Sequence, residues 1–419
     1  MASPRQALVL VLGTLILALP AAEAVADPAT DAGLGRSLRR AMRPAGAGSG
    51  AFVYNASDRN IVLRLRHRTA RVLASNTKLF TSAAALAQFG TEGTLPTEVR
   101  GVGALEPDGT WRGDLYLRGG GDPTFGSSRF VRRAYGSGAT VEALAVSLKA
   151  AGLQRVTGGI VGDESRFDGL RGVGYSGFRT SLDVGGPLSG LSYNRGLASE
   201  SGRSFQVNPP AFAAARLGSA LSARGVKVGG KPKAGATPPA ATTLAGIRSP
   251  AMGRIVRFMN KPSDNYFAET LAKAIGFVAG GRGTTAAGTR ATARFARRLG
   301  AVARLVDGSG LSRGDHASPR GVGRLLLSMR GRNEFGAFYD SLPVAGRDGT
   351  LATRMRAGAA RGRCRAKTGT LNGVSALSGY CTARSGDVYV FSILMNRVNV
   401  FGARRIQDRM ANAIAASRG

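Results

Sequence analysis

Leu79, Ala83 and Leu86 recur at helical spacing and Gly90 closes the run, which predicts a helix from near Ser75 to Phe89. A second apolar series, Phe267, Leu271 and Ile275, repeats every four residues behind the polar triplet Ser263-Asp264-Asn265 and predicts another helix, with Gly276 and Gly280 after it. Strands show as a two-residue alternation. Cys364, Ala366, Thr368 and Thr370 alternate with Arg365, Lys367, Gly369 and Leu371, Asn372-Gly373 is a turn pair, and Val374, Ala376, Ser378 and Tyr380 begin the return. A tight turn there pairs residues whose numbers sum to 745, and Cys364 and Cys381, the only two cysteines, meet that sum. The pattern leaves open whether they form a disulfide or stay as two buried thiols.

Phe52 to Tyr54, the turn Asn55 to Asn60, and Ile61 to Leu65 read as an opening hairpin, and Val388 to Leu394 as a buried strand. One domain therefore takes strands from both ends of the chain. Between Lys78 and Ser263 lie 184 residues, far more than a loop, which predicts an inserted domain over 91–245 within a discontinuous domain of 27–90 and 246–419. Inside the insertion, Asp114 to Leu117 and Gly158 to Val161 bracket a helix at Val141 to Ala151, and the Pro-, Lys- and Ala-rich segment Gly230 to Ala241 reads as the returning linker. The fold class is α/β in the α+β sense, an antiparallel sheet flanked by helices.

The first residues bear on location. Arg5, a 13-residue apolar run from Ala7 to Leu19 and the small-residue site Ala24-Val25-Ala26 read as a signal peptide over 1–26. The exported chain is expected in the periplasm or the extracytoplasmic cell wall. Its charge is large: 58 lysines and arginines against 25 acids give +33. The cations are scattered, and a single Trp111 offers no stacking platform, so nucleic acid is not the expected partner. Salt-dependent association with anionic wall polymers or lipid headgroups is. Two His and two Cys exclude His-rich metal sites, zinc ribbons and iron–sulfur clusters, and no metal or cofactor is expected.

Only 8 of the 58 cations are lysine. A lysine can shed its proton near neutral pH where an arginine cannot, so each remaining lysine is of interest. Three lie in short polar motifs: Ser75-Asn76-Thr77-Lys78, Lys261 before Ser263-Asp264-Asn265, and Lys367-Thr368-Gly369-Thr370. Ser75 and Lys78 fall one turn apart on a helix, where the amine can take the hydroxyl proton if burial lowers its pKa. Taken singly, the first motif also fits a solvated helix start, and Ser263, Asp264 and Asn265 also fit a helix cap. His67, among Arg64, Arg66 and Arg68 on an apparent strand, and His316, after the loop-like Arg313-Gly314-Asp315, read as surface histidines, so a histidine-based triad is not expected.

The order Ser-x-x-Lys, Ser-Asp-Asn, Lys-Thr-Gly is that of the β-lactamases and penicillin-binding proteins. Gly120-Gly121-Asp122-Pro123-Thr124, Met259 to Asn265 with Ala268-Glu269, Asp307 to Arg313, Leu342 to Gly346 and Asp348 to Leu351 support the likeness. With these segments, the sequence resembles the D-alanyl-D-alanine carboxypeptidase/endopeptidase family of low-molecular-mass class C penicillin-binding proteins, peptidase family S13, over nearly all of the mature chain. The resemblance implies that Ser75 is acylated by peptidoglycan stem peptides, with Lys78 as general base and Ser263 relaying a proton to the leaving amine. It further implies that Lys367 holds a positive potential that keeps Lys78 neutral, and that Asn265 bonds the substrate backbone. The N–H groups of Ser75 and Thr370 would form the oxyanion hole, Thr368 and Gly369 would pair with the peptide, and β-lactam antibiotics would acylate Ser75. Arg313 would line the side-chain pocket and Asn372 would flank it, with Asp183 as its acidic partner. Two other readings on the same fold are a β-lactam or ester hydrolase and a non-catalytic wall-binding module. The sequence departs from larger family members between Asn194 and Asn208, where a nested third domain is expected to be missing or reduced to a hairpin.

Overall fold

The structure is a computed structural model that describes residues 31–200, 202 and 204–418; the expected signal peptide lies outside the described residues. Helix α1 (Asp31–Ala41) precedes the hairpin β1 (Ser49–Asn55) and β2 (Asn60–Leu65). His67 lies beyond the end of β2, not on it, and is half-buried, as is His316. Helix α2 (Thr77–Phe89) is entered through a 3₁₀ turn at Ala74–Asn76, so Ser75 sits one tight turn before the α-helix. Gly90, at φ 76°, ends α2 by bonding the carbonyl of Leu86.

The middle of the chain makes a mixed five-stranded sheet. Its elements are β3 (Pro96–Gly101), β4 (Leu115–Gly119), α3 (Val141–Ala150), β5 (Ile160–Asp163), α4 (Pro209–Ser222), β6 (Lys233–Ala234) and β7 (Thr242–Arg248), with strand order β6-β5-β4-β3-β7. Thr140 caps α3 by accepting from the Ala143 N–H, and Asn208 with Pro209 starts α4. Leu144, Leu148, Leu217 and Leu221 of the helices pack on Val99, Leu117 and Ile160 of the sheet. The segment read as a plain linker contributes β6, an edge strand held to two residues by Pro232 and the glycines around it. Strand β7 crosses Ala245 and stays paired with β3 as far as Arg248. Among the described residues between Asn194 and Asn208 there is one antiparallel bridge, Leu197 to Phe205.

Helix α5 (Asn265–Gly280) is capped by Asp264, whose carboxylate accepts from the Phe267 N–H at 3.0 Å. Gly276 is inside α5, not after it. It lies where α5 crosses α6 (Thr285–Arg298), and a Cβ on the facing Gly288 would come within 1.8 Å of the Ala272 carbonyl oxygen. Helix α7 (Pro319–Arg330) leads toward strands β8 (Cys364–Leu371), β9 (Val374–Thr382) and β10 (Val388–Asn396), and α8 (Val400–Ala416) ends the described chain.

These last strands join the opening hairpin in an antiparallel sheet of order β8-β9-β10-β1-β2. Strands β9 and β10 are covered on both faces, which accounts for their near-continuous apolar sequence. On one face Val322, Leu325 and Leu326 of α7 meet Tyr380, Val390 and Leu394; on the other Leu38, Ile406 and Met410 meet Leu377, Phe391 and Ile393. The Asn372-Gly373 turn sets the β8–β9 register, and Cys364 lies opposite Cys381. The two are joined as a disulfide. Strand β8 is the free edge of this sheet, and the 3₁₀ turn carrying Ser75 packs beside it.

Candidate active site

The three motifs converge beside that edge. Lys78, fully buried on the first turn of α2, directs Nζ at Ser75 Oγ (3.0 Å), Asn265 Oδ1 (2.6 Å) and the Ser309 carbonyl oxygen (2.8 Å). Ser75 stays partly open to solvent. Its neighbour Ala74 is in the left-handed region at φ 47°, as is Ser263 at φ 65°. Non-glycine residues held there carry backbone strain, which the surrounding bonds must hold in place.

Lys367 on β8 is also fully buried; its Nζ donates to Ser263 Oγ at 2.8 Å and to the Thr368 carbonyl at 2.9 Å. Asn76 ties the two motif segments together by donating from Nδ2 to the Lys367 carbonyl at 3.0 Å. Ala366 sends its N–H off the free edge of β8, to the Pro343 carbonyl at 2.9 Å. Backbone groups alternate sides along an antiparallel strand, so the N–H groups of Thr368 and Thr370 leave by the same edge, toward Ser75. Gly369 permits the close approach: a Cβ there would lie 2.8 Å from the Leu73 carbonyl oxygen and 3.1 Å from the Ser75 nitrogen.

Burial drives the Lys78 amine down to about 8, against the opposing pull of Asp307, Glu269, Asp264 and Asp315. Burial, and after it the charge of Lys78, pushes Lys367 well below its ordinary value. Behind Lys78 lies an acidic cluster. Glu269 accepts from the N–H groups of Gly308 (3.1 Å) and Ser309 (2.8 Å), which fixes the turn whose Ser309 carbonyl meets Lys78. Asp307 accepts from Gly310 at 2.6 Å and from Ser312 at 2.6 Å. Burial and the nearby Asp307 carboxylate push Glu269 up to about 8 and Asp315 up to about 10.

A cleft of about 320 Å³ opens over Ser75, Ser263, Thr368, Gly369 and Thr370, with Thr350, Thr353, Arg354 and Arg404 on its walls. Thr350 Oγ1 is 2.7 Å from Thr368 Oγ1, and Arg404 Nη2 donates to Thr370 Oγ1 at 3.1 Å. The residues expected around the side-chain pocket lie beyond this cleft. Arg313 and Asn372 are exposed and bonded to each other, guanidinium to backbone carbonyl, and neither lines this cleft. Asp183 reaches the site through its carbonyl, which accepts from Asn265 Nδ2 at 2.7 Å, and not through its carboxylate. Both ends of the Asn265 amide are therefore engaged within the protein. The Gly120–Thr124 segment forms a turn in which Asp122 accepts from the Thr124 N–H at 2.8 Å, outside the cleft.

Sequence reading missed Ser309 as a Lys78 partner because it contributes a carbonyl, which carries no side-chain signature. It missed Arg354 and Arg404 because they come from segments without a motif, and Thr350 because its segment, although part of the family likeness, had no role attached to it. The spacing Arg404-x-x-x-Asp408 on one helix was the single signal available, and it marks any charged helix face.

Several known proteins resemble this chain. The profile of the D-Ala-D-Ala carboxypeptidase 3 (S13) family matches residues 38–175 and 195–417. A D-alanyl-D-alanine carboxypeptidase from Actinomadura sp. (strain R39) is 31% identical over 427 residues, covering 83% of this chain and 77% of the relative. Penicillin binding protein 4 from Haemophilus influenzae has the same fold, with a TM-score of 0.73 at 21% identity, covering 89% of this chain and 97% of that one. A second structure of that protein, in complex with a β-lactam, superposes with a TM-score of 0.70 at 20% identity, over 90% of this chain and 97% of that one.

Proposed function

Since the chain belongs to the D-Ala-D-Ala carboxypeptidase 3 (S13) family, we propose that it works through an acyl-enzyme on Ser75. The enzyme is a serine-type D-Ala-D-Ala carboxypeptidase acting on peptidoglycan and binding β-lactams. The observation that carries the assignment of roles is the pair of buried lysines, each aimed at a serine hydroxyl: Lys78 at Ser75 (3.0 Å) and Lys367 at Ser263 (2.8 Å).

Neutral Lys78 takes the Ser75 proton as Oγ attacks the carbonyl carbon of the penultimate D-alanine. The oxyanion that forms accepts from the N–H groups of Ser75 and Thr370. When the C–N bond breaks, Ser263, held by Lys367 Nζ 2.8 Å away, gives its proton to the departing amine and is reprotonated by the proton that Lys78 took from Ser75. Lys78, neutral again, takes a proton from the water that attacks the acyl-enzyme and passes it to Ser75 Oγ as the acyl–oxygen bond breaks. Asn265 holds Lys78 by its amide oxygen, and Thr368 and Gly369 offer the strand edge to the peptide. Residues 91–245 act as an inserted domain, and the reading includes export by a leader over 1–26 to the cell wall, where the +33 charge favours anionic polymers or lipid headgroups.

The test is mass spectrometry of the protein after exposure to benzylpenicillin, with Ser75→Ala alongside. A persistent adduct mapped to Ser75 and absent from the variant is the expected outcome. No adduct defeats the reading, and an adduct lost within seconds turns the enzyme into a β-lactamase.

A further inference from the structure

At the edge of the catalytic sheet away from Lys367, the loop after β2 folds back on α7, whose Arg320 N–H donates to the His67 carbonyl at 2.9 Å. Between β1, β2 and α7 this leaves a cavity of about 370 Å³. Its floor is aromatic: the Phe52 ring stacks with Tyr54 (centroids 6.4 Å apart, planes at 18°) and with His67 (6.1 Å, 19°). Its walls carry Arg64, Arg68, Arg320 and Arg324 and no aspartate or glutamate. None of these four guanidiniums has an ion-pair or hydrogen-bond partner among the described residues. Their charges converge on His67, whose imidazole is held below its ordinary value by partial burial and then by Arg68, Arg320 and Arg64.

Like charges gathered around one hollow repel one another, and here the protein supplies no counter-charge. Elsewhere it does: Arg171 is matched by Glu164, Arg195 by Asp264 and Arg354 by Asp408. A ligand that satisfies the hollow brings more than one negative charge, and the guanidinium fork suits phosphate oxygens. Stable seating on a bilayer needs buried apolar surface as well as charge, whereas Ile61 is the exposed large apolar side chain of this lining. A soluble chain of phosphates is therefore the better match. Resting on the reading that the +33 charge favours anionic polymers, we propose that this cavity binds linked phosphate groups of a wall polymer through Arg64, Arg68, Arg320 and Arg324, with His67 as a hydrogen-bonding partner. Strand β2 lies four strands from β8, roughly 19 Å at the usual strand spacing, so polymer and stem peptide can be held at once. The general attraction thereby gains a place on the molecule that leaves the Ser75 cleft free.

The chain has two histidines, His67 and His316, so the imidazole NMR signals of isotopically labelled protein report the cavity and a control position in one sample, with His67→Gln assigning them. The probe is poly(glycerol phosphate), titrated at constant ionic strength. The expected result is saturable movement of the His67 signal with His316 unmoved, and a rise in the His67 pKa as phosphate offsets the guanidinium charges. Arg64→Ala combined with Arg320→Ala should weaken binding at least about tenfold. Labelling of Ser75 by benzylpenicillin at the unmodified rate shows that this double variant is folded. Binding of equal strength in the double variant overturns the proposal. Tighter binding to phosphatidylglycerol vesicles than to the polymer, with the same His67 movement, also overturns it and assigns the cavity to a lipid surface. Polymer binding that leaves His67 unmoved overturns this proposal alone, whereas no polymer binding at all overturns the reading of the +33 charge with it.

Discussion

Asn265 Oδ1 and Lys78 Nζ lie 2.6 Å apart, although 187 positions separate the residues in sequence. The amide orients the amine without adding charge, so Lys78 keeps the depressed pKa that burial gives it. Asn265→Asp would place an anion at the same distance and hold the ammonium form. Acylation by penicillin at pH 7 should fall by on the order of 100-fold and recover in part at higher pH. A variant whose rate falls equally at every pH would contradict this account.

The pH dependence follows from Lys78. Its pKa is lowered to about 8, so the neutral base is the minor form at pH 7 and the major form above about 8. The acylation rate constant should climb roughly tenfold per pH unit below that value and then level off. Asp307 raises the Lys78 pKa by its charge, so Asp307→Asn should move the rising limb to lower pH, and Asp307→Glu should leave it nearer the original position. Stopped-time acylation between pH 5 and pH 10, a range of about five units, reads both shifts directly.

Gly369→Ala tests the approach of the two backbones. The added methyl would press on the Leu73 carbonyl at 2.8 Å and the Ser75 nitrogen at 3.1 Å, so the Ser75 turn must move away from the strand. A loss of stability of about 1–3 kcal/mol is expected. The acylation rate should fall more than tenfold, because the oxyanion donors separate. Thermal unfolding and penicillin labelling on one sample distinguish this from simple misfolding.

Removing the disulfide with paired Cys364→Ala and Cys381→Ala substitutions should lower the unfolding free energy by about 2–4 kcal/mol. Both residues are buried against α8, so some packing is lost as well. Calorimetry with and without reductant should show the unmodified protein drop toward the variant. An unchanged midpoint under reduction would mean that the bond adds nothing to stability.

Much of the catalytic sheet could be read ahead of the structure because its signals are local. Asn372-Gly373 fixes a two-residue turn, the turn fixes the register, and the register places Cys364 opposite Cys381. Ser75, Lys78, Ser263, Asn265 and Lys367 were legible as three short motifs in one order. What could not be read depends on burial or on backbone. The 3₁₀ turn under Ser75 is imposed by packing against β8, the Ser309 carbonyl has no residue signature, and the ionisation of Lys367 follows from an enclosure no motif encodes. Arg404 is one of 50 arginines until the helix carrying it is docked on the sheet.

The register between β1 and β10 sets a timetable for the chain. Ser49 pairs with Met395, and the edge strand with Lys367 reaches β1 only through β9 and β10. No sheet of this order exists until almost the whole polypeptide has been made, and its long-range pairings form slowly. Until then the nucleophile's helix has no strand to dock on. The nascent protein is therefore catalytically silent for most of its synthesis, and its opening hairpin waits without its β10 partner, exposed to any protease that meets it first.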